Sequence, residues 1–219
     1  MLCLIPARSG SERVKDKNIV PFFGHPLLAY TIRRAIDSQL YSEVVVTSDS
    51  EQYLNIAKQY GAEALLRPKC ISHAYSPDVD WINHALFVLG KQDFTILRPT
   101  SPFRSKEYLK AAASLYVIGG VQVRGIRPAT EHPFKMWNKE ADRIFPAFAS
   151  AGEYLLQTKQ LPEYYVQSAA IEIRNSAVDN RPFVGVEGTD YEDFDINTEI
   201  DLITASALVN SGKVTLPEV

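Results

Sequence analysis

The sequence predicts an α/β fold of three layers, a mostly parallel sheet covered by helices on both faces. Two observations carry that expectation. Apolar, β-branched runs alternate with amphipathic helical stretches through the first half of the chain. A polar loop containing a glycine follows the first apolar run, and open α/β sheets bind ligands at the carboxyl ends of their strands.

Met1–Pro6 reads as a short buried strand. Residues 25–39 read as a helix that places Leu28, Ile32, Ala35, Ile36 and Gln39 near one face. Glu43–Thr47, with Val44, Val45 and Val46, is a second buried strand, and residues 51–60 are a helix stopped by Gly61. Ser76 and Pro77 are expected to open the next helix as N-cap and first helical residue. Its inner face is Val79, Ile82, Ala85, Leu86 and Leu89. Phe94–Leu97 is a third strand, and residues 105–116 are a helix capped by Ser105.

The second half is less regular. Val121–Lys135 is extended and helix-poor, with Arg124, Arg127, Pro128, His132 and Pro133. Residues 139–166 mix helical and aromatic character. The expectation is one domain over 1–219 with an arm or small lobe inserted at about 124–168. Ala169–Arg174 reads as a returning strand. Thr198 caps a last helix, with Asp201 three residues on and Ile200, Ile203, Ala207 and Leu208 as its inner face.

Composition narrows the function classes. Apolar residues make up 46% and charged residues 22% of 219, which excludes disorder and coiled coil. A net charge of −3 argues against a nucleic-acid backbone or an anionic membrane as partner, but not against a small polyanion held by a local basic cluster. Two cysteines, Cys3 and Cys70, make neither a disulfide scaffold nor a zinc site. His25, His73, His84 and His132 lack ligand spacing. No run approaches the ~18 apolar residues of a membrane span. Met1–Pro6 lacks a basic flank and is too short for a secretory leader, so a cytoplasmic enzyme is expected.

The loop after the first strand carries the densest chemistry. Arg8, Arg13, Lys15 and Lys17 put four cations within ten residues. Ser9-Gly10-Ser11 frees backbone N–H groups to face an anion, so a polyphosphate is the natural guest. The loop has neither the Gly-Lys-Ser/Thr of a Walker loop nor the further glycines of a dinucleotide fingerprint.

Several boxes in order resemble the acylneuraminate cytidylyltransferases, the CMP-sialic acid synthetases. They are Ile5-Pro6-Ala7-Arg8-Ser9-Gly10-Ser11 with Lys17-Asn18-Ile19; Ser48-Asp49-Ser50; Arg67-Pro68; His84-Ala85-Leu86; Arg98-Pro99-Thr100-Ser101-Pro102-Phe103-Arg104; His132-Pro133-Phe134-Lys135-Met136-Trp137; and Phe194-Asp195-Ile196-Asn197-Thr198. The resemblance runs from about Leu4 to Val209. It implies a nucleotide-diphospho-sugar transferase-like fold and a homodimer with the arm at its interface. It also implies a reaction in which CTP and a nine-carbon sugar acid give a CMP-sugar and pyrophosphate with Mg²⁺. By the same resemblance, Ala7, Arg8, Ser9, Gly10, Ser11, Lys17, Asn18 and Arg67 bind the nucleotide, with Arg8, Lys17 and Asp195 catalytic. Asp195 and Asn197 are the metal residues, and Arg98, Lys135, Gln167 and Ser168 meet the sugar.

The chain departs from the family pattern in several places. The usual Asp-x-Asp reads Asp195-Ile196-Asn197, which removes one negative charge; Glu192 and Asp193 are nearby acids, expected to be solvated. Asp49 is expected either to reach the nucleotide or to cap the helix after it. Arg98 replaces a glutamine, Asn-Gly-Ala becomes Ser168-Ala169-Ala170, and two customary arginines are Thr158 and Val166. These departures leave two readings open: Arg98 takes over recognition of the sugar carboxylate, or the acceptor is a modified one of the legionaminic or pseudaminic type. Other sugar acids or sugar phosphates, including the 3-deoxy-manno-octulosonate of a related family, and a nucleotide-binding subunit without turnover are the alternatives.

Overall fold

β1 (Leu2–Pro6) sits inside the sheet because both of its faces are apolar. In the computed structural model, which describes residues 1–91, 93–116, 121–176, 181–189 and 191–219, Cys3 and Ile5 face one helical layer and Leu2 and Leu4 face the other. The elements that follow are β2 (Pro21–Phe22), β3 (His25–Pro26), α1 (Leu27–Ser38), β4 (Glu43–Ser48), α2 (Glu51–Gln59), β5 (Glu63–Leu66), α3 (Asp78–Leu89), β6 (Phe94–Ile96) and α4 (Lys106–Leu115). Then come β7 (Gln122–Pro128), β8 (Trp137–Glu140), β9 (Arg143–Pro146), β10 (Tyr165–Arg174), β11 (Phe183–Glu187) and α5 (Glu199–Asn210).

Among the described residues the main sheet has seven strands in the order β11-β7-β10-β6-β1-β4-β5. Only β10 runs against the others. α1, α2 and α4 pack on one face through Leu28, Ile32, Tyr53, Ala57, Leu109 and Ala112. α3 covers the other face with Trp81, Ile82 and Ala85. The architecture is therefore the expected three-layer α/β/α sandwich. A third apolar cluster, with Phe22, Leu27, Phe103, Ile196 and Ala205, seats α5 against the β2–β3 hairpin and the loop after β6.

Three local expectations are corrected. Pro77 is extended and stands outside α3, and the Ser76 hydroxyl accepts from the His73 N–H, so Ser76 is not the cap of that helix. α5 is capped by Thr198 and Asp201 as expected, but it buries Ala205 and packs Leu202, Leu208 and Val209. Ile200 and Ile203 stay 74% and 69% exposed. The helix is apolar nearly all round, so spacing alone did not select its inner face. Finally, β7 and β10 are sheet strands, and the segment that leaves the sheet between them is 129–164. It carries the β8–β9 hairpin and is tied at its root by buried His132, whose ring meets the Pro162 carbonyl at 2.9 Å.

Candidate active site

The loop leaving β1 is braced from three sides. Ser9 donates its backbone N–H and its hydroxyl to Asp49 at 2.8 and 2.6 Å. Asn18 donates to the Arg8 carbonyl at 3.0 Å, and the Tyr53 hydroxyl donates to Asp16 at 3.0 Å. Gly10 turns the loop at φ +69, where a side chain is strained. Two expectations change here. Asp49 does not cap α2, because Ser50 accepts from the Tyr53 N–H in that role. Ser9 has committed both of its donors to Asp49, so it braces the loop and offers neither to a phosphate. Burial alone would raise the Asp49 carboxyl; the two bonds from Ser9 hold it below the ordinary value.

Two cavities open at the carboxyl ends of the parallel strands. The smaller, about 300 Å³, is lined by Arg8, Ser11, Lys17, Asn18 and Arg67 among others. Arg8 turns back on its own loop, donating to the Ser9 and Gly10 carbonyls at 3.2 Å each. Ala7 is fully buried with its N–H on the Thr47 carbonyl, so it carries the loop without lining the cavity. Buried Arg67 bonds the Thr47 carbonyl at 3.0 Å and lies 5.3 Å over the Trp81 ring. Burial pushes its guanidinium down to about 10, which still leaves it charged at neutral pH.

The larger cavity, about 1060 Å³, includes Arg124, Arg127, Gln167, Ser168, Glu172 and Arg174 in its lining. Asp78, Arg98, Asp195 and Asn197 line both cavities and so stand at their junction. The Asp195 loop is fixed there by the Ile196 N–H, which donates to the Thr100 carbonyl at 2.8 Å. Asn197 donates to Asp195 Oδ2 at 2.6 Å and accepts from Lys17 Nζ at 3.1 Å. Burial lowers the Lys17 ammonium, and the nearby Asp195 charge partly offsets it. Asp78 forms a close ion pair with Arg98 and accepts from Trp81 Nε1 at 2.8 Å. Burial alone would raise the Asp78 carboxyl, but the Arg98 charge and these bonds hold it below its usual value.

Of the expected site residues, Ala7, Ser9 and Gly10 line neither cavity, and Lys135 is held away from both. Lys135 donates to the carbonyls of Tyr154 and Leu156 within the arm, and it lines neither cavity of its own chain. Nor are Glu192 and Asp193 solvated. Glu192 is buried and accepts from the N–H groups of Ser105 and Thr189, holding the start of α4. Burial raises the Asp193 carboxyl. Sequence reasoning missed Asp78, Arg124, Arg127, Glu172 and Arg174 as lining residues. The available signal was the arginine content of the stretch after residue 121.

Asp195 Oδ1 is buried and has no hydrogen-bond partner among the described residues. An unpartnered carboxylate oxygen at the junction of two cavities suits a hard cation. Among the described residues no group of three or more His, Cys, Asp or Glu could hold a metal, so a cation here would draw its remaining ligands from phosphate oxygens and water. No helix among the described residues is long and apolar enough to cross a membrane.

Known proteins resemble this chain in sequence and in fold. Residues 2–117 match the family model described as Cytidylyltransferase. The N-acylneuraminate cytidylyltransferase of Escherichia coli is 43% identical over 117 residues, 53% of this chain and 28% of that protein. The pseudaminic acid cytidylyltransferase of Campylobacter jejuni is 37% identical over 122 residues, covering 53% of each chain. The CMP-N,N'-diacetyllegionaminic acid synthase of Legionella pneumophila is 34% identical over 148 residues, 65% of this chain and 63% of that one. The matched stretch thus spans less than two thirds of each of these relatives. Among solved structures, a CMP:2-keto-3-deoxy-manno-octonic acid synthetase complexed with CTP superposes with a TM-score of 0.71 at 12% identity, over 96% of this chain and 98% of that one, a likeness of fold. The family match covers β1 to α4, the half that supplies the braced loop and most of the smaller cavity. The chain belongs to the cytidylyltransferase family.

Proposed function

We propose that the protein transfers the CMP moiety of CTP to a nine-carbon sugar acid, a sialic acid or related nonulosonate, with release of pyrophosphate. The observation that carries this reading is the junction. A smaller cationic cavity and a larger cavity share Asp195 and Asn197, so a nucleotide in one and an acceptor in the other would meet beside the Asp195 carboxylate. CTP occupies the smaller cavity, where Arg8, the Ser11 end of the loop and Lys17 face the triphosphate, with Asn18 and Arg67 toward the nucleoside. The acceptor lies in the larger cavity. Its anomeric hydroxyl oxygen forms the new bond to the α-phosphorus, the bond from that phosphorus to the pyrophosphate oxygen breaks, and the hydroxyl proton passes to solvent. Such transfer depends on positioning and charge neutralisation more than on covalent chemistry of the protein.

Mg²⁺ is the metal this reading requires. Asp195 would hold it through its unpartnered oxygen, with Asn197 beside it. When bound, the ion would neutralise charge on the phosphates. Lys17 supplies the neighbouring positive charge and Arg8 the guanidinium on the loop. The same reading takes the chain to be a cytoplasmic homodimer paired through its arm, where Ile144, Phe148 and Leu155 are 58%, 63% and 77% exposed.

Pyrophosphate release, measured with each of the four nucleoside triphosphates against a panel of sugar acids with and without Mg²⁺, tests the reaction. CTP- and Mg²⁺-dependent release with a nonulosonate is the expected result. Release that ignores the sugar, or none with any pair, overturns it. Sedimentation of the purified chain tests the dimer.

A further inference from the structure

The larger cavity is lined by four arginines, and three of them are already committed. Arg98 is ion-paired with Asp78. Arg124 is ion-paired with Glu172 at 2.6 Å, bonded to Gln167, and stacked 4.6 Å from the Phe183 ring. Arg174 shares the same Glu172 at 3.3 Å. Arg127 differs. It is half-buried on β7, lines the cavity, and its guanidinium has no ion pair or hydrogen bond among the described residues. A guanidinium in a cavity wall with no acid beside it is placed to receive an anion from outside.

The anion can be placed by the cavity. Arg127 lines the larger cavity and not the smaller one, which holds Arg8 and Lys17. It is therefore on the acceptor side of the junction, away from the triphosphate. The lining there also includes Asp193, Asp195 and Glu172, which repel an acidic acceptor except where an uncompensated cation receives it. A guanidinium offers paired N–H donors that match a carboxylate in plane. We infer that Arg127 is the residue that recognises the carboxylate of the acceptor and so makes the larger cavity selective for a sugar acid over a neutral sugar. This rests on the reaction proposed above for its substrate class.

The test separates the two. Binding of N-acetylneuraminate, pseudaminate and N,N'-diacetyllegionaminate to the 219-residue chain with CTP and Mg²⁺ is measured by calorimetry, each against its methyl ester. The parent chain should prefer at least one acid over its ester by about 10-fold or more, Arg127→Gln should bring that ratio to about one, and Arg127→Lys should restore part of it. The affinity for CTP should stay within about two-fold in both variants, which also reports an intact fold. A ratio unchanged in Arg127→Gln, an equal loss for acid and ester, or no acid bound by the parent overturns the inference. Acid binding without pyrophosphate release overturns the reaction instead, and the ratio still decides Arg127.

Discussion

Lys17 Nζ donates to Asn197 Oδ1 at 3.1 Å, joining residues 180 positions apart in the chain. The contact ties the loop after β1 to the segment before α5, and it places an ammonium beside the Asp195 carboxylate. Its geometry predicts a role in turnover. Lys17→Met removes the charge but keeps the stem, so kcat should fall by at least about 10-fold, with a smaller change in the KM for CTP. Steady-state kinetics at varied CTP checks this. A variant with parental kcat would show that the ammonium is only a tether.

Arg8 carries no acid partner among the described residues, and its guanidinium bonds only carbonyls of its own loop. A triphosphate in the smaller cavity would give it a charged acceptor. Arg8→Ala should then lower kcat/KM for CTP by about 10²-fold, the loss of a charge-assisted contact of about 3 kcal/mol. Near-parental CTP kinetics in a folded variant would remove Arg8 from nucleotide binding.

The Ser9–Asp49 brace predicts a pH dependence. The Asp49 carboxyl is held below its ordinary value of 3.8 in the folded chain. Its contribution to stability is therefore present above that ordinary value and is lost as pH falls through the lower, folded value. Asp49→Asn should cost about 1 kcal/mol near neutral pH, reduced by partial exposure from the full worth of bonds to a charged group. The difference should shrink as denaturation is repeated toward about pH 3. A difference that grows on acidification would contradict the brace.

Much of this was legible in the sequence, for definite reasons. β1, β4 and β6 were readable because each is a short run built around apolar residues, and α4 because Ser105 caps it and Tyr108, Leu109 and Ala112 repeat on one face. The loop was readable because four cations and a Ser-Gly-Ser stand together. What escaped depends on pairing that no local pattern records. β7 and β10 look like an irregular arm until their register is known, and that register sets Arg127 directly opposite Val166. Thus the absence of an arginine at 166 said nothing of the arginine beside it in space. Glu192 and Asp193 looked solvated because their partners, Ser105 and Tyr108, lie on a distant helix.

The orientation of α5 gives a direct stability comparison. Its apolar residues surround the axis, so only packing distinguishes them. Ile203 is exposed, and Ile203→Ser should change stability by no more than about 0.5 kcal/mol. Leu28, fully buried on α1, should cost about 2–5 kcal/mol when cut to alanine. Urea unfolding of the two variants checks both figures. A large loss in Ile203→Ser would mean that its face is covered in solution.

The last prediction concerns Asp195, since the other junction carboxylate, Asp78, is ion-paired with Arg98. Asp195 presents one buried oxygen that is unpartnered among the described residues, and its other oxygen is held by Asn197. Asp195→Asn removes the only negative charge of the Asp195-Ile196-Asn197 box while preserving its shape. It should cut kcat far more than CTP binding, because Arg8 and Arg67 remain in the smaller cavity. Asn197→Asp adds a second carboxylate next to the first. Two like charges in contact repel, and a hard divalent cation relieves that repulsion, so the Mg²⁺ concentration for half-maximal rate should fall. Lys17 competes for the same charge, since it already touches the Asn197 oxygen at 3.1 Å. The double variant Asn197→Asp with Lys17→Met should therefore show a larger shift in Mg²⁺ requirement than Asn197→Asp alone, whatever its absolute rate. Turnover against Mg²⁺ concentration for the parent and the three variants gives the comparison. Full turnover in Asp195→Asn would put the metal on another carboxylate, with Asp78, which also lines both cavities, the next candidate. If Asn197→Asp and the double variant both keep the parental Mg²⁺ requirement, position 197 takes no part in binding the ion, and the site uses one protein carboxylate.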